Sequence, residues 1–321
     1  MLAGERILVT GGAGFIGSSL VERVAPRNDV TILDDLSVGS LRNLEAVRGQ
    51  VHLVKASVLD RRQVLRASKD CTIAFHLAAL TSVRESFEQP HRYADVNVMG
   101  TANVLGAAAH AGVRRVVFAS TCAAYGPSRA ARLSEAMKPN PKSPYAMSKL
   151  AAEELCEAAA RGTEMDVVRL RVFNVFGPRQ SASSSYASVI ARFAKAVAGG
   201  EPLVVYGSGN QTRDFIYVED AAEALELAAL ATGVRGAVLN VGSGRATSVW
   251  QLVRILESII GRKLPVRREP ARPGDLLRAI ADTTRARKVL GFRARTVLEE
   301  GLRRTLEEPK GTQGDEVPLS S

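Results

Sequence analysis

Short apolar runs alternate with stretches of helically spaced apolar residues over the first part of the chain. The runs fall at residues 6–10, 29–37, 51–57, 72–79, 113–121 and 165–177. Apolar residues recur at helical spacing between most of them, most clearly at 98–111 and 145–160. The runs indicate buried strands, and their alternation with helices predicts an α/β fold built on a doubly wound parallel sheet.

The pattern changes after about residue 178. The segment 178–188 is polar, and helical patterns at 189–198 and 248–261 flank a strand-rich segment at 202–220. We therefore predict a first domain over 1–178 and a smaller C-terminal substrate-binding lobe over 179–308, interleaved with the first. The polar residues 309–321 are expected to form a loose tail.

Composition excludes several classes of protein. Hydrophobic residues make up 46% of the 321 positions and charged residues 24%, as in ordinary globular proteins. No apolar stretch approaches the ~20 residues of a membrane helix, and the N-terminus does not read as a signal peptide. The three cysteines show neither metal-ligand spacing nor a disulfide framework, which indicates a cytoplasmic protein without a bound metal.

The net charge of +10 raises the question of nucleic-acid binding. The basic residues are scattered, however, and no basic run is interleaved with aromatic residues. A basic protein also suits phosphorylated small molecules, and we expect those rather than nucleic acid.

A glycine-rich turn directly follows the first apolar run. Gly11, Gly14 and Gly17 satisfy the spacing of a Rossmann-type dinucleotide site, and Phe15 opens the following helix. Glycine lets the backbone approach a pyrophosphate, and the positive end of the helix attracts it. Asp34 lies 20 residues beyond Gly14, at the end of the second run, where its carboxylate suits ribose hydroxyls. The sequence therefore predicts NAD rather than NADP.

Asp35 and Arg42 bear on the choice between NAD and NADP. Asp35 follows where an NADP site would favour arginine, and it adds to the negative charge. Arg42, a few residues further on, leaves NADP open as the alternative.

Four further motifs follow the glycine turn in a fixed order: "HLAA" (76–79), "DVNVMGTANVL" (95–105), "ASTCAAYG" (119–126) and "YAMSK" (145–149). With them the chain resembles the extended short-chain dehydrogenase/reductases, NAD-dependent enzymes that modify nucleotide sugars. The resemblance spans roughly residues 6–300 and is strongest for the UDP-galactose 4-epimerase branch. It implies a UDP-sugar substrate and a homodimer that pairs the helices at 98–111 and 145–160.

The resemblance assigns the reaction to three residues. Tyr145 is implied to be the base, Lys149 to hold the nicotinamide ribose and lower the pKa of the tyrosine, and Thr121 to bond the sugar oxygen. A helix places residues four apart on one face, so Tyr145 and Lys149 can act together. Because a phenol near pKa 10 is a poor base at neutral pH, we expect Lys149 and the positive nicotinamide to lower that pKa.

The resemblance also implies the cofactor contacts. Ser57 stands where the family generally has aspartate on the adenine, so we expect weaker retention of NAD. Asn97 is expected to support the backbone near Lys149, and His76 to be structural. The full predicted set is Gly11, Gly14, Phe15, Ile16, Gly17, Asp34, Asp35, Ser57, Val58, Leu77, Ala78, Ala79, Asn97, Tyr145 and Lys149.

For the substrate, the resemblance implies that Asn174, Arg213 and Arg272 contact the diphosphate and that Asp275 holds the uridine ribose. Arginine suits phosphate because its fork of donors matches paired oxygens. Ala279 stands where a wall of the sugar pocket is either tyrosine or a small residue. A small wall leaves room for an N-acetyl group, so UDP-GlcNAc and UDP-GalNAc are expected beside UDP-glucose and UDP-galactose.

The residues after Thr121 select among the reactions of the family. Its 4,6-dehydratases carry Asp-Glu there, whereas this chain has Cys122 and Ala123, neither suited to moving a proton. The pattern favours a UDP-hexose 4-epimerase. The alternatives are a UDP-glucuronate 4-epimerase, which tends to have threonine at the position of Asn174, another nucleotide-sugar epimerase or dehydratase, and a non-catalytic NAD-sensing protein.

Overall fold

The computed structural model of the chain describes residues 1–181, 187–271 and 278–307. Within these residues the strands are β1 (Arg6–Thr10), β2 (Asp29–Asp34), β3 (Val51–Lys55), β4 (Ile73–His76), β5 (Arg115–Thr121), β6 (Asp166–Val172), β7 (Asn174–Phe176), β8 (Leu203–Tyr206), β9 (Thr212–Arg213), β10 (Phe215–Tyr217), β11 (Val238–Val241), β12 (Thr247–Ser248), β13 (Val266–Glu269) and β14 (Arg278–Ala279).

Between and after the strands lie the helices α1 (Phe15–Val24), α2 (Arg61–Ser68), α3 (Glu85–Glu88), α4 (Pro90–Ala94), α5 (Gly100–His110), α6 (Pro144–Gly162), α7 (Val189–Gly199), α8 (Val218–Leu230), α9 (Val249–Ile260), α10 (Thr284–Leu290) and α11 (Leu298–Glu307). Shorter 3₁₀ turns cover Ala25–Arg27, Leu41–Val47 and Cys122–Tyr125, and a π-helical segment covers Asp95–Met99.

The main sheet has seven parallel strands in the order β11-β6-β5-β4-β1-β2-β3. Strand order reverses between β1 and β4, and the carboxyl ends of these two strands open the crevice where ligands bind in such sheets. This arrangement confirms the predicted Rossmann-type α/β fold.

Helices cover both faces of this sheet. One core combines its strands with α1 and α8, and the other combines them with α2, α5 and α6. Because both faces are covered, the central strands are apolar almost without interruption, as β4 shows with all four residues buried. The short apolar runs of the sequence therefore correspond to buried parallel strands.

The remaining elements form smaller sheets, β7 with β10, β8 with β13, and β9 with β12 and β14. A third apolar cluster gathers side chains of α7, α9 and α11 on these strands. Between them β11 returns to the main sheet beside β6. The boundary at 178 stays a prediction, and the predicted tail at 309–321 lies outside the described residues.

Two predicted elements differ in detail. The apolar run 165–177 is divided into β6 and β7, because Asn174 leaves the main sheet and β7 pairs with β10 instead. The helix expected from residue 98 begins as the π-helical segment Asp95–Met99, which α5 continues. Over the described parts of the chain, no helix combines the length and apolar character that a membrane span requires.

Candidate active site

The glycine turn between β1 and α1 forms one edge of the crevice. Gly11 has φ +72°, and a Cβ there would lie 2.6 Å from the backbone nitrogen of Ala78. A Cβ on Gly17 would lie 2.0 Å from the carbonyl oxygen of Gly11. Gly14 is the N-cap of α1 and adds no side-chain cap, so the first amides of the helix face the crevice without a competing acceptor.

Asp34 ends β2 beside this turn. Its Oδ2 accepts a hydrogen bond from the amide of Ala13 at 2.9 Å, and its Oδ1 accepts one from the amide of Leu36 at 2.9 Å. Burial raises the pKa of Asp34, and the two amide hydrogen bonds oppose that rise. The carboxylate is thereby held at the edge of the crevice. Arg42 is exposed in a 3₁₀ turn and is not among the residues that line the crevice.

A cavity of about 640 Å³, cavity 1, fills the crevice. Its lining includes every predicted cofactor residue except Asn97: Gly11, Gly14, Phe15, Ile16, Gly17, Asp34, Asp35, Ser57, Val58, Leu77, Ala78, Ala79, Tyr145 and Lys149. Thr121 lines it as well. Close backbone approach at the glycines, free helix amides and a carboxylate at the end of β2 fit a dinucleotide whose pyrophosphate lies over α1.

Asn97 is buried beneath this lining, at 1% exposure. Its Nδ2 donates to the carbonyl of Leu80 at 3.0 Å and to Oγ of Ser148 at 2.9 Å, while its Oδ1 accepts from the amide of Leu80 at 2.9 Å. It ties the loop after β4 to the residue before Lys149. This geometry fits the expected support of the backbone near Lys149, and a direct cofactor contact does not follow from it.

His76 is enclosed at the end of β4. Its Nδ1 hydrogen-bonds the hydroxyl of Thr10 at 2.7 Å and its Nε2 the hydroxyl of Thr101 at 2.9 Å. Burial lowers the pKa of His76 to about 3, and the charge of Lys149 acts in the same direction. Both ring nitrogens are engaged, so the imidazole is a neutral connector between β1, β4 and α5.

Tyr145, Lys149 and Thr121 all line cavity 1, and the side chains of Thr121 and Tyr145 hydrogen-bond each other. Tyr145 lies in the first turn of α6, which Pro144 opens and Ser143 caps by accepting a hydrogen bond from the amide of Ala146 at 3.1 Å. Lys149 lies one turn further along, and Thr121 ends β5. All three side chains are buried except where they face the cavity.

Burial dominates the pKa values of Tyr145 and Lys149. It raises the pKa of Tyr145 to about 12, and the Thr121 side chain opposes the rise. Burial also lowers the pKa of Lys149 to about 8. Because the expectation included the positive nicotinamide, the lowering of the tyrosine pKa stays a prediction for the enzyme with its cofactor bound.

Cavity 2, of about 210 Å³, adjoins cavity 1, because Val175 lines both. Asn174 and Arg213, two of the predicted substrate residues, line it. The Nδ2 of Asn174 donates to the carbonyl of Asp214 at 2.9 Å, across the β7–β10 sheet. Arg192 was not predicted; it also lines cavity 2, with its guanidinium 5.2 Å from the ring centroid of Tyr206.

Ala279 does not line either cavity. It is 3% exposed and belongs to a buried cluster with Tyr125 and Phe173, and Phe173 is the member of that cluster that lines cavity 1. Among the described residues Ala279 shares a buried cluster with a lining residue of cavity 1, and its expected role as a wall of the sugar pocket stays a prediction. Arg272 and Asp275 lie outside the described residues.

Other lining residues were also missed. Phe173 and Gln180 line cavity 1 from beyond β6, and Val38 and Leu59 line it from the loops after β2 and β3. The crevice rule could have suggested the two loop residues, because both follow strands of the predicted sheet. Over residues 1–181, 187–271 and 278–307, no group of three or more His, Cys, Asp or Glu side chains is arranged to hold a metal ion.

Comparison with known proteins identifies the relatives of the chain. The NAD dependent epimerase/dehydratase family matches residues 7–242. A UDP-glucose 4-epimerase of Mycolicibacterium smegmatis is 39% identical over 94% of this chain and 97% of the relative.

Two solved structures are similar as well. A UDP-N-acetylglucosamine 4-epimerase from Methanobrevibacter ruminantium M1, in complex with UDP-N-acetylmuramic acid, has a TM-score of 0.92 and 35% identity over 95% of this chain and 98% of that one. The UDP-glucose 4-epimerase of Thermus thermophilus, complexed with NAD, has a TM-score of 0.87 and 36% identity over 96% of this chain and 100% of that one.

These matches cover most of the chain, and they agree with the dinucleotide site predicted from the glycine turn and Asp34. They confirm NAD as the cofactor and the resemblance drawn from the motifs. The chain belongs to the NAD-dependent epimerase/dehydratase family and is an enzyme of that family.

Proposed function

We propose that the enzyme is a 4-epimerase of UDP-hexoses that interconverts UDP-glucose with UDP-galactose and UDP-GlcNAc with UDP-GalNAc. The observation that carries the proposal is the convergence of Tyr145, Thr121 and Lys149 in cavity 1, next to cavity 2 with Arg213. A proton-transfer group, a hydroxyl and a cation thus line the dinucleotide cavity, which adjoins a pocket with arginine side chains. The relatives named for UDP-glucose and UDP-GlcNAc 4-epimerisation support the same reaction.

The protein residues divide the work of oxidising and reducing one sugar carbon. When bound, NAD would supply a reversible hydride acceptor and, in its oxidised form, a positive charge. Tyr145 takes the proton of the sugar 4-hydroxyl and returns it after the sugar has turned. Because the pKa of Tyr145 is about 12 in the protein alone, the phenolate needs the positive charges of both Lys149 and the oxidised cofactor.

Thr121 is suited to orient the sugar oxygen. Its Oγ1 accepts a hydrogen bond from the amide of Ala123 at 3.1 Å, and its side chain hydrogen-bonds that of Tyr145, so the hydroxyl proton is available beside the tyrosine oxygen. This donor fixes the 4-oxygen close to Tyr145. A 4-keto sugar held in this way accepts hydride on either face once it has rotated about the diphosphate.

Rotation of the sugar requires a fixed nucleotide. Arg213 and Arg192 give cavity 2 two guanidinium groups, and Asn174 lies beside them. A guanidinium fork matches a pair of phosphate oxygens. We therefore assign the diphosphate to the side of the site that carries these arginines and the nucleoside to cavity 2. Arg272 and Asp275 remain proposed contacts of the diphosphate and the uridine ribose.

Dehydration is the less favoured reaction. Cys122 follows Thr121, and burial raises the pKa of its thiol to about 12, so it is neutral and a poor acid or base near pH 7. Ala123 has no proton to transfer. Asn174 argues against a UDP-glucuronate 4-epimerase only through the resemblance, so that enzyme is the main alternative within the family.

Turnover of UDP-glucose and UDP-GlcNAc, with and without added NAD, tests the proposal when the C4 epimers are separated. Conversion of both substrates by the wild type, and of neither by Tyr145→Phe, is the expected result. Conversion of UDP-glucose alone would retain the epimerase and remove the N-acetyl substrates. Failure of both, in protein that binds NAD, would overturn the substrate assignment, and UDP-glucuronate would be tested next.

A further inference from the structure

A buried ion pair lies one helical turn beyond Lys149. Glu153 follows Lys149 by four residues on α6, and its side chain is 2% exposed. Arg171 of β6, with 5% of its side chain exposed, donates from Nε to Oε1 at 2.9 Å and from Nη2 to Oε2 at 2.7 Å. The hydroxyl of Ser120 also donates to Glu153. The carboxylate therefore connects α6 to β6 and to the residue that precedes Thr121.

The charges around Lys149 single out this carboxylate. Lys149 has Phe118 of β5 beneath its ammonium. The groups coupled to it electrostatically are Cys156 and Glu153 on α6 and His76 on β4, and Tyr145 lies one turn before it, while Arg171 and Arg169 of β6 pair with Glu153 and Glu157. Burial raises the pKa of both Tyr145 and Cys156 to about 12 and lowers that of His76 to about 3, so these three are neutral near pH 7. Glu153 is the anionic member of the set.

The titration of Lys149 depends on this anion. Burial lowers the pKa of Lys149 to about 8, while Cys156 and Glu153 oppose the fall. Because the thiol of Cys156 is still neutral where Lys149 titrates, we attribute the opposing effect to Glu153. A cation with a pKa this close to neutrality can lose its proton within the working range of the enzyme.

We propose that Glu153 is a positioning residue of the reaction centre: paired with Arg171, it keeps Lys149 protonated and fixes the Ser120–Thr121 end of β5. The inference rests on the roles proposed above for Lys149 and Tyr145. It assigns a purpose to a buried pair that a purely structural core could replace with apolar side chains at little loss of stability.

The test uses the alkaline limb of the pH profile of kcat/KM, which falls as Lys149 loses its proton. Glu153→Gln removes the anion and leaves Arg171 cationic, so the limb should move to lower pH by about one unit. Glu153→Asp keeps the charge and should restore most of the wild-type profile. The matched control is Glu157→Gln, one turn further along α6, where the carboxylate pairs with Arg169 instead; its limb should stay in place.

Arg171→Met gives an independent test of opposite sign. Removal of this cation leaves Glu153 unopposed beside Lys149, so the alkaline limb should move to higher pH. If Glu153→Gln does not fold, this variant and Glu153→Asp still decide the matter. If the Glu153 and Arg171 variants lose thermal stability while the alkaline limb stays in place, the proposal is overturned and the Glu153–Arg171 pair is only structural.

A second readout separates this inference from the proposed substrate. The affinity for NADH, followed by the fluorescence of its reduced ring as pH rises, depends on Lys149 but not on a sugar. The affinity should fall at lower pH in Glu153→Gln than in the wild type, even if no UDP-hexose is converted. If the NADH affinities of Glu153→Gln and the wild type fall at the same pH, the role of Glu153 is overturned. If they fall at different pH values but no UDP-hexose is converted, only the proposed epimerase activity is overturned.

Discussion

The ammonium of Lys149 lies 4.1 Å from the centroid of the Phe118 ring. The cation thus rests on the face of an aromatic side chain, between the sheet and α6, and Lys149 lines cavity 1. A ring face compensates only part of the lost hydration. Lys149 is therefore kept for its chemistry at a cost in stability.

Replacement of this lysine should make the cofactor-free protein more stable. Burial lowers the pKa of Lys149 from 10.5 to about 8, so the folded state disfavours the charged form. Each tenfold change in proton affinity is worth about 1.4 kcal/mol, so we expect Lys149→Met to raise the free energy of unfolding at pH 7 by about 3 kcal/mol.

The pH dependence of that gain has a definite sign. The destabilisation caused by charged Lys149 is complete below about pH 8 and disappears as pH rises to 10.5. Between these two values the unfolded chain binds the proton and the folded chain does not. Urea unfolding at pH 7 and pH 10 measures it. Lys263→Met, at an 89% exposed side chain, is the control and should change little. A variant at position 149 that is no more stable at pH 7 than the wild type would refute the prediction.

Two helical glycines should respond oppositely to alanine. At Gly17 a Cβ would meet the carbonyl oxygen of Gly11, so Gly17→Ala should lower stability by about 1–3 kcal/mol and weaken NAD binding. At Gly106 on α5 a Cβ meets nothing within 4 Å, so Gly106→Ala should add about 0.5–1 kcal/mol and leave NAD binding unchanged. Thermal unfolding and calorimetric titration with NAD measure both; equal NAD affinity in the two variants would speak against the close turn.

Ala279→Tyr should narrow the range of substrates. A tyrosine in the buried cluster behind cavity 1 would displace Phe173 towards the sugar. We expect kcat/KM for UDP-GlcNAc to fall about tenfold more than that for UDP-glucose, a discrimination of about 1.4 kcal/mol. Ala279→Ser, of nearly wild-type size, should retain both activities. Equal losses for the two substrates would mean that residue 279 does not govern the N-acetyl group.

The predicted homodimer has a candidate surface on α5 and α6. Met99, at the end of the π-helical segment, is 55% exposed, and Met147 on α6 is 57% exposed. Large exposed apolar side chains on neighbouring helices are typical of subunit contacts. We propose that these helices pair across the dimer.

Sedimentation of charged variants tests the dimer. Met147→Glu should shift the protein from dimer to monomer, because it would bury a charge at the contact. Leu230→Glu, at a 42% exposed residue of α8 on the other face of the sheet, should leave the dimer intact. A monomeric wild type would refute the predicted state, and a dimeric Met147→Glu would move the contact to another surface.

The fold and the cofactor turn could be predicted because their signals are local. A buried parallel strand, a glycine turn and the N-terminus of α1 follow one another along the chain, and Asp34 comes at the end of the next strand. The same holds for the i, i+4 relation of Tyr145 and Lys149. The order of the motifs then identified the family.

The contacts that local sequence patterns did not predict join residues that are distant in sequence. Asn97 hydrogen-bonds Ser148, 51 positions away; the resemblance indicated support near Lys149, but no local pattern indicates this partner. Glu153 could have been predicted from the sequence, since its spacing from Lys149 repeats that of Lys149 from Tyr145. Its partner Arg171 could not, because it lies on β6. The rise that burial causes in the pKa of Tyr145 was not predicted for the same reason: burial depends on the packing of α6 against the sheet, which the motif does not describe.

The most direct test of the central claim follows a single hydrogen. UDP-glucose carrying deuterium at C4 is converted in ordinary water by the NAD-loaded enzyme, and the position of the label in the product is determined by NMR. Transfer of hydride to the cofactor and back predicts UDP-galactose with deuterium retained at C4, and no product from Tyr145→Phe. Deuterium lost to water, or found at C6 of a 4-keto-6-deoxy sugar, would contradict the 4-epimerase mechanism.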